Sequence, residues 1–271
     1  MVTEETCPIC QARRARRDRG GENFLCLREY HRLYRCRDCG HRWRTPPILS
    51  DVALTDQYEL RTGLVRYGDF TASPSGELPP HLGARLGWLA PGAVILDFGS
   101  GDGAFLSAAR GQGLDAWGVD SDVAKMENHP LRPFVRERID AFPEAYFDAI
   151  HANHVLEHVD DPVAALGVLA SRLKVNGCLM VEVPNELGSL SAAVKKALRR
   201  KLGAATSLYE HQHFYSRRSL KIALAKAGLD AREPQTPRRV STGLRGMLDF
   251  AGALLKRGEV IWTVASRAVA A

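Results

Sequence analysis

No run of apolar residues in this chain is long enough to cross a bilayer. The apolar stretches are short and broken by charge, whereas a spanning helix needs roughly 18 or more in a row. The first residues, "MVTEETCPIC", lack a basic segment followed by an apolar one. No secretory leader is therefore expected, and the expected compartment is the cytoplasm. Cysteine is nearly absent beyond residue 39, because five of the six fall at positions 7–39 and the sixth is Cys178. Net charge is nearly absent beyond residue 45. Residues 1–45 hold eleven Arg and six Asp/Glu, a balance of +5, and the rest holds 26 Lys/Arg against 25 Asp/Glu, or +1. The run "RRARRDR" (13–19) has no interleaved aromatics. It reads as a solvated loop, with a nucleic-acid contact as the competing reading.

What is present begins with size. The 271 residues, 45% apolar and 25% charged, suffice for one large soluble domain or one domain plus a small module. Four of the cysteines form two C-x2-C knuckles, Cys7–Cys10 and Cys36–Cys39, with 25 residues between them. Thiolates in two such pairs can hold one Zn²⁺ tetrahedrally. A pair of disulfides is the alternative, which a reducing cytoplasm disfavours. A closed shell of four thiolates leaves no position for substrate, so the expected zinc is structural. It would staple a module of about 45 residues, too small to bury much core. "NFLCLREYHRLYRCRDCGHRW" alternates like strands leading into the second knuckle. Cys26 and Cys178 read as packing residues. His41 is left out of the metal site because four cysteines complete it.

From residue 93 the pattern changes to strands alternating with helices, which predicts a parallel sheet. "AVILDFGSGDGAFLSAARGQG" (93–113) is an apolar strand carrying Asp97, a Gly-rich turn and a helix. The glycines allow close backbone approach to a ligand, and the helix start offers free N–H groups. A dinucleotide loop is one reading. An acid beside the loop fits a cationic ligand such as a sulfonium better than a phosphate. "DAWGVDSD" (115–122) is the next strand and ends in Asp120, placed to accept from ribose hydroxyls. "FDAIHA" is a further strand. "DDP" opens a helix with Asp161 as its cap and Pro162 at its first position. "CLMVEVPN" (178–185) is a strand, "SRRSLKIALAKAGL" (216–229) an amphipathic helix, and "EVIWTVASRA" (259–268) a last strand.

In this order, "LDFGSGDG", "VDSD" and "FDAIHANHVLEHVDDP" resemble the class I S-adenosylmethionine-dependent methyltransferases. With the cysteine knuckles in front and "YEHQHFYSRRSL" behind, the chain looks most like their zinc-ribbon-bearing small-molecule branch, which acts on sugars and natural products. The "ANHVLEH" segment lacks the Asn/Asp-Pro-Pro-Tyr pattern of enzymes that methylate DNA amines or glutamine. The resemblance implies an α/β fold, a doubly wound, mostly parallel seven-stranded sheet behind a small zinc ribbon. The expected segments are a zinc ribbon at 1–45, a linker, lid and leading helix at 46–92, and a cofactor-binding domain at 93–271. Asp97, Gly99, Ser100, Gly101 and Gly103 would hold the methionine end of S-adenosylmethionine. Asp120 and Ser121 would take its ribose and Asp140 its adenine. Asn153 and His154 would face the methyl group.

The proton acceptor has several candidates: His154, Glu157, His158, Glu210, His211 and His213. "YEHQHFYS" (209–216) concentrates three of them beside Tyr209 and Tyr215. In the family resembled, Glu-His before "FYS" lies over the substrate cleft. This implies His211 as base with Glu210 or Tyr209 assisting. The competing reading is a hydrogen-bonded loop that anchors the following helix. Tyr58 and Tyr67 are expected in a lid, and "SLSAAVKKALRRKL" (189–202) as a basic helix over the cleft. The expected partner is a small-molecule methyl acceptor. The alternative is an RNA methyltransferase whose basic zinc module grips RNA.

Overall fold

The computed structural model describes residues 6–25, 31–46, 86–198, 211–237 and 243–267. Cys26, Tyr58, Tyr67, Tyr209 and Glu210, the expected lid, and the end of the expected basic helix lie outside them. The chain forms two compact units. One comprises residues 1–49, 154–170 and 181–270, and the other 50–153 and 171–180, with residue 271. The expected segments are continuous in sequence, whereas these units are not.

The cysteine module holds β1 (Ala15–Arg17), α1 (Arg19–Leu25), β2 (Arg32–Cys36) and β3 (Arg42–Thr45). Two sequence readings are corrected here. Part of the solvated run is the edge strand β1, paired antiparallel with β2. "NFL" is helical rather than extended, because Asp18 starts a helix. The Asp18 carboxylate accepts from Gly21 N–H at 3.0 Å, and the Asp18 carbonyl accepts from Glu22 N–H at 3.0 Å. That cap outweighs the alternating pattern.

The remaining elements follow in chain order. They are β4 (Val94–Phe98), α2 (Ala104–Gly111), β5 (Asp115–Val119), β6 (Val135–Arg136), β7 (Phe147–Asn153), α3 (Pro162–Arg172) and β8 (Leu173–Pro184). After these come α4 (Leu190–Ala197), β9 (His213–Phe214), α5 (Arg217–Lys226), β10 (Leu229–Ala231), α6 (Gly243–Leu254) and β11 (Val260–Arg267). Seven strands make one sheet in the order β10-β11-β8-β7-β4-β5-β6. β4 is parallel to β5 and β7, and β5 to β6. β10 and β11 are antiparallel. This is the mostly parallel, helix-flanked architecture that alternation predicts, with near-continuous burial along β4, β7 and β8.

The Asp161 cap behaves as the sequence predicts. Asp161 accepts from Val163 and Ala164 N–H at 3.1 and 3.0 Å, so α3 begins at Pro162. Ser216 and Ser219 form a capping box on α5. β8 starts five residues before the expected position. Gly177 lets the strand run on, since a Cβ there would stand 2.9 Å from the Phe147 carbonyl oxygen. β9 belongs to a second sheet, of order β1-β2-β3-β9.

Candidate active site

β4 delivers Asp97 to the glycine turn. Asp97 and His151 are opposite one another in the β4–β7 ladder. His151 Nδ1 and Asp97 Oδ1 are 2.9 Å apart with both side chains buried. Burial pushes the Asp97 carboxyl up, and the His151 contact opposes it. The His151 ring stacks on Phe105, with centroids 3.8 Å apart. Gly99, Gly101 and Gly103 have φ of 77°, 52° and 78°, left-handed values that glycine adopts without strain. At Gly103 a Cβ would crowd Leu131 Cδ1 at 3.0 Å and Met126 Cε at 3.1 Å.

Asp120 faces this loop from the end of β5. Its carboxylate accepts from Gly101 N–H at 2.8 Å and from Asp122 N–H at 3.0 Å. Ser121 follows it at the surface. Asp140 lies on an exposed turn, where the Arg138 guanidinium at 2.7 Å holds its carboxyl below the usual range. Ser100 Oγ and Asn153 Oδ1 are buried without a hydrogen-bond partner. Three left-handed glycines, an oriented carboxylate and these orphaned oxygens fit a nucleoside-sulfonium ligand, which would engage polar atoms the protein leaves unpaired.

A separate acid–base cluster is built wholly within the other unit. The chain leaves β7 through His154, whose φ of 54° is left-handed and uncommon outside glycine. His154 Nδ1 meets Glu157 Oε1 at 3.2 Å, and His154 Nε2 meets Glu182 Oε1 at 3.6 Å. Burial works against a charge on His154, but the two carboxylates outweigh it and raise its pKa to about 9. Burial alone would raise the fully buried Glu157 carboxyl, and His154, His211 and His158 together hold it down. His211 Nδ1 hydrogen-bonds Glu186 Oε1. His211 Nε2 stands 3.9 Å from Glu157 Oε1, beyond hydrogen-bond length.

Backbone contacts fix this geometry. Gln212 and His213 N–H both donate to the Glu157 carbonyl, at 2.8 and 3.1 Å. Tyr215 Oη donates to the Leu156 carbonyl at 2.9 Å. A cavity of about 160 Å³ opens against His154, Glu186, Ser189, Ser191 and Glu259, floored by Pro184 and Val260. Of the candidate proton acceptors, His154, Glu157, His158 and His211 share this cluster. His213 turns away to meet His41, Nδ1 to Nε2, at 3.1 Å. Glu182 and Glu186 have no counterpart among the expected residues. The signal was an acid inside the apolar run "CLMVEVPN" and another directly after it.

Two groups of side chains have metal-ligand spacing among the described residues. Cys7, Cys10, Cys36 and Cys39 bring all four Sγ atoms within 4.8 Å of one another. Cys7 and Cys39 are 3.6 Å apart, and Cys10 and Cys36 3.5 Å. A zinc tetrahedron with ordinary Zn–S bonds has edges of roughly 3.8 Å, so the four fit. Glu157, His158 and His211 form the second group. There the contacts around Glu157 are those of a carboxylate shared by imidazoles.

The profile of a family described as "Methyltransferase domain" matches residues 75–233, more than half the chain. The chain belongs to that family. This methyltransferase-family chain is 32% identical over 106 residues to the ubiquinone biosynthesis O-methyltransferase of Xanthomonas campestris pv. campestris. That match covers 35% of the chain and 44% of the relative, so the chain spans less than half the length of the curated relatives it matches. Among solved structures it is similar to a SAM-dependent methyltransferase from Archaeoglobus fulgidus, with 17% identity and a TM-score of 0.51. That likeness covers 80% of this chain and all of the other. It is also similar to an S-adenosylmethionine-dependent methyltransferase from Mesorhizobium loti, with 17% identity and a TM-score of 0.52 over 69% and 96% of the two chains. These likenesses establish the fold of the methyltransferase domain. No helix among the described residues is long and apolar enough to cross a membrane.

Proposed function

We propose that this protein transfers a methyl group from S-adenosylmethionine to a hydroxyl group of a small-molecule acceptor, with His211 removing the acceptor's proton. The observation that carries this reading is the buried His211–Glu186 pair, whose Glu186 also lines a small cavity. The bound cofactor would supply an electrophilic methyl on a sulfonium, activated by its own charge. The residues of the chain supply the rest. Asp97, Ser100 and the three left-handed glycines hold the methionine end, and Asp120 holds the ribose. Asp140, Ser121 and Asn153 complete the cofactor contacts.

Glu186 accepts from His211 Nδ1–H, which fixes the tautomer and leaves Nε2 as the basic nitrogen. His154, kept cationic by Glu157 and Glu182, faces the cavity. It stabilises the negative charge that develops on the acceptor oxygen. Ser189, Ser191 and Glu259 offer hydrogen bonds to further hydroxyls of the acceptor. Glu210 and Tyr209 keep their assisting role in this reading by chain proximity to His211. The four cysteines hold a structural zinc.

The RNA reading draws little support from the module. Arg42 is paired to Asp18 at 2.7 Å, Arg17 to Glu22 at 2.9 Å and Arg14 to Asp38 at 3.0 Å, and Arg44 is buried. A product-mass screen tests the proposal. Purified protein, methyl-labelled cofactor and hydroxylated small molecules should yield a product heavier by one labelled methyl. Label appearing in RNA and in no small molecule would overturn it.

A further inference from the structure

The segment carrying His211 is bound on one side by the cysteine module. β9 is the fourth strand of that module's sheet, with Arg42 opposite Phe214 and Trp43 opposite His213. The Arg44 N–H donates to the Gln212 carbonyl at 2.9 Å. Ser216 Oγ donates to the carbonyl of Cys39, one of the four clustered cysteines, at 2.8 Å. His41, two residues further, holds His213. Beneath the sheet, Phe24, Leu25 and Leu33 of the module share one apolar core with Phe214 of β9 and Ala192 of α4. On the opposite side, Gln212 and His213 donate to the Glu157 carbonyl. His211 is thus hung between the module and the carboxylates it works with.

β9 is two residues long and cannot order itself, since isolated strand pairs are marginal in water. The module to which it is bonded is too small to fold on apolar burial alone, so its order would depend on an ion held by its four thiolates. We propose that the four-cysteine site positions the proton-transfer strand: ordering of the Cys36–Thr45 turn and strand places β9, and with it the His211 imidazole against Glu186 and Glu157. This rests on reading His211 as the proton acceptor. It makes His41, Ser216 and the four cysteines positioning residues for methyl transfer, and it gives the basic module a task that needs no nucleic acid.

The test uses the full-length chain in three forms: zinc-loaded, chelator-treated, and zinc-loaded His41→Phe, which keeps all four cysteines. Three properties are read: amide hydrogen exchange at 212–214, cofactor affinity by calorimetry, and the pH profile of kcat with an acceptor from the product-mass screen. Chelation should speed exchange at 212–214 by about 100-fold or more while leaving cofactor affinity within about threefold. His41→Phe should keep one zinc per chain and the cofactor affinity, lose about tenfold in kcat, and displace the acidic limb of the pH profile. The proposal is overturned if 212–214 stay protected without metal. It is equally overturned if cofactor binding falls together with that protection, which would make the module a support of the whole fold. A His41→Phe enzyme with wild-type kcat and pH profile would overturn it too. Failure of the underlying reading looks different: His211→Gln would then turn over normally while the exchange response to chelation persists.

Discussion

His211 and Glu186 share a hydrogen bond through Nδ1 and Oε1, with side chains only 6% and 10% exposed. A carboxylate in that position orients the ring and stabilises the imidazolium that forms when Nε2 accepts a proton. Replacing Glu186 by Gln keeps an acceptor for Nδ1–H and removes the charge. The expected result is a fall of about 10–100-fold in kcat with KM for the cofactor unchanged, read from initial rates. An unchanged kcat would remove Glu186 from the proton-transfer group.

His154 gives the fold a pH signature. Its pKa is raised to about 9 from 6.5, against the pull of burial, by Glu157 and Glu182. A raised folded pKa contributes stability that is fully present below about pH 6.5 and is lost as pH rises through about 9. Its side chain is 34% exposed, so after allowing for solvent screening the contribution is on the order of 1–2 kcal/mol. Urea unfolding at pH 6 and pH 9.5 should show that loss in the wild type and a flatter dependence in His154→Gln. Equal pH dependence in both would show that His154 does not carry the charge.

The glycine turn should tolerate no side chain at Gly103. A left-handed φ and a Cβ 3.0 Å from Leu131 Cδ1 place Gly103→Ala under strain of about 1–2 kcal/mol. Cofactor affinity, measured by calorimetry, should weaken about tenfold or more, while the strain lowers the unfolding midpoint by only a few degrees. Wild-type affinity would mean that the turn relaxes without cost and does not touch the ligand.

The cysteine cluster predicts one zinc per chain by elemental analysis. Cys36→Ser should lower that to a small fraction, because three thiolates no longer close the tetrahedron. A metal content unaffected by Cys36→Ser would place the ion elsewhere, with Glu157, His158 and His211 the next group of suitable spacing.

The sheet, the capped helices and the cofactor turn were legible because each is encoded locally, in apolar runs, Gly spacing and Ser/Asp caps. Asp161 before Pro162 and Ser216 before α5 carry their own evidence in sequence. The long-range partners inside the acid–base cluster were not legible, although His154 and Glu157, three residues apart, were. Glu157 and His211 are 54 residues apart in the chain, and Glu186 reaches His211 from the end of β8. Nothing local announces such pairs, although a glutamate in an apolar strand marks a buried acid that must find a cation. β9 escaped for the same reason. His213 and Phe214 form a strand only because β3 lies alongside, and β1 with its arginines is likewise a strand by virtue of β2. α1 misled through its alternating pattern, which the Asp18 cap overrides.

The most direct measurement compares wild-type protein and His211→Gln in single-turnover methyl transfer to an acceptor found by product mass, with cofactor affinity measured on both. A general base contributes about 100- to 10,000-fold. The account predicts a rate loss in that range for His211→Gln, with cofactor affinity unchanged within about twofold. A His211→Gln protein that binds cofactor and transfers methyl at the wild-type rate would contradict it.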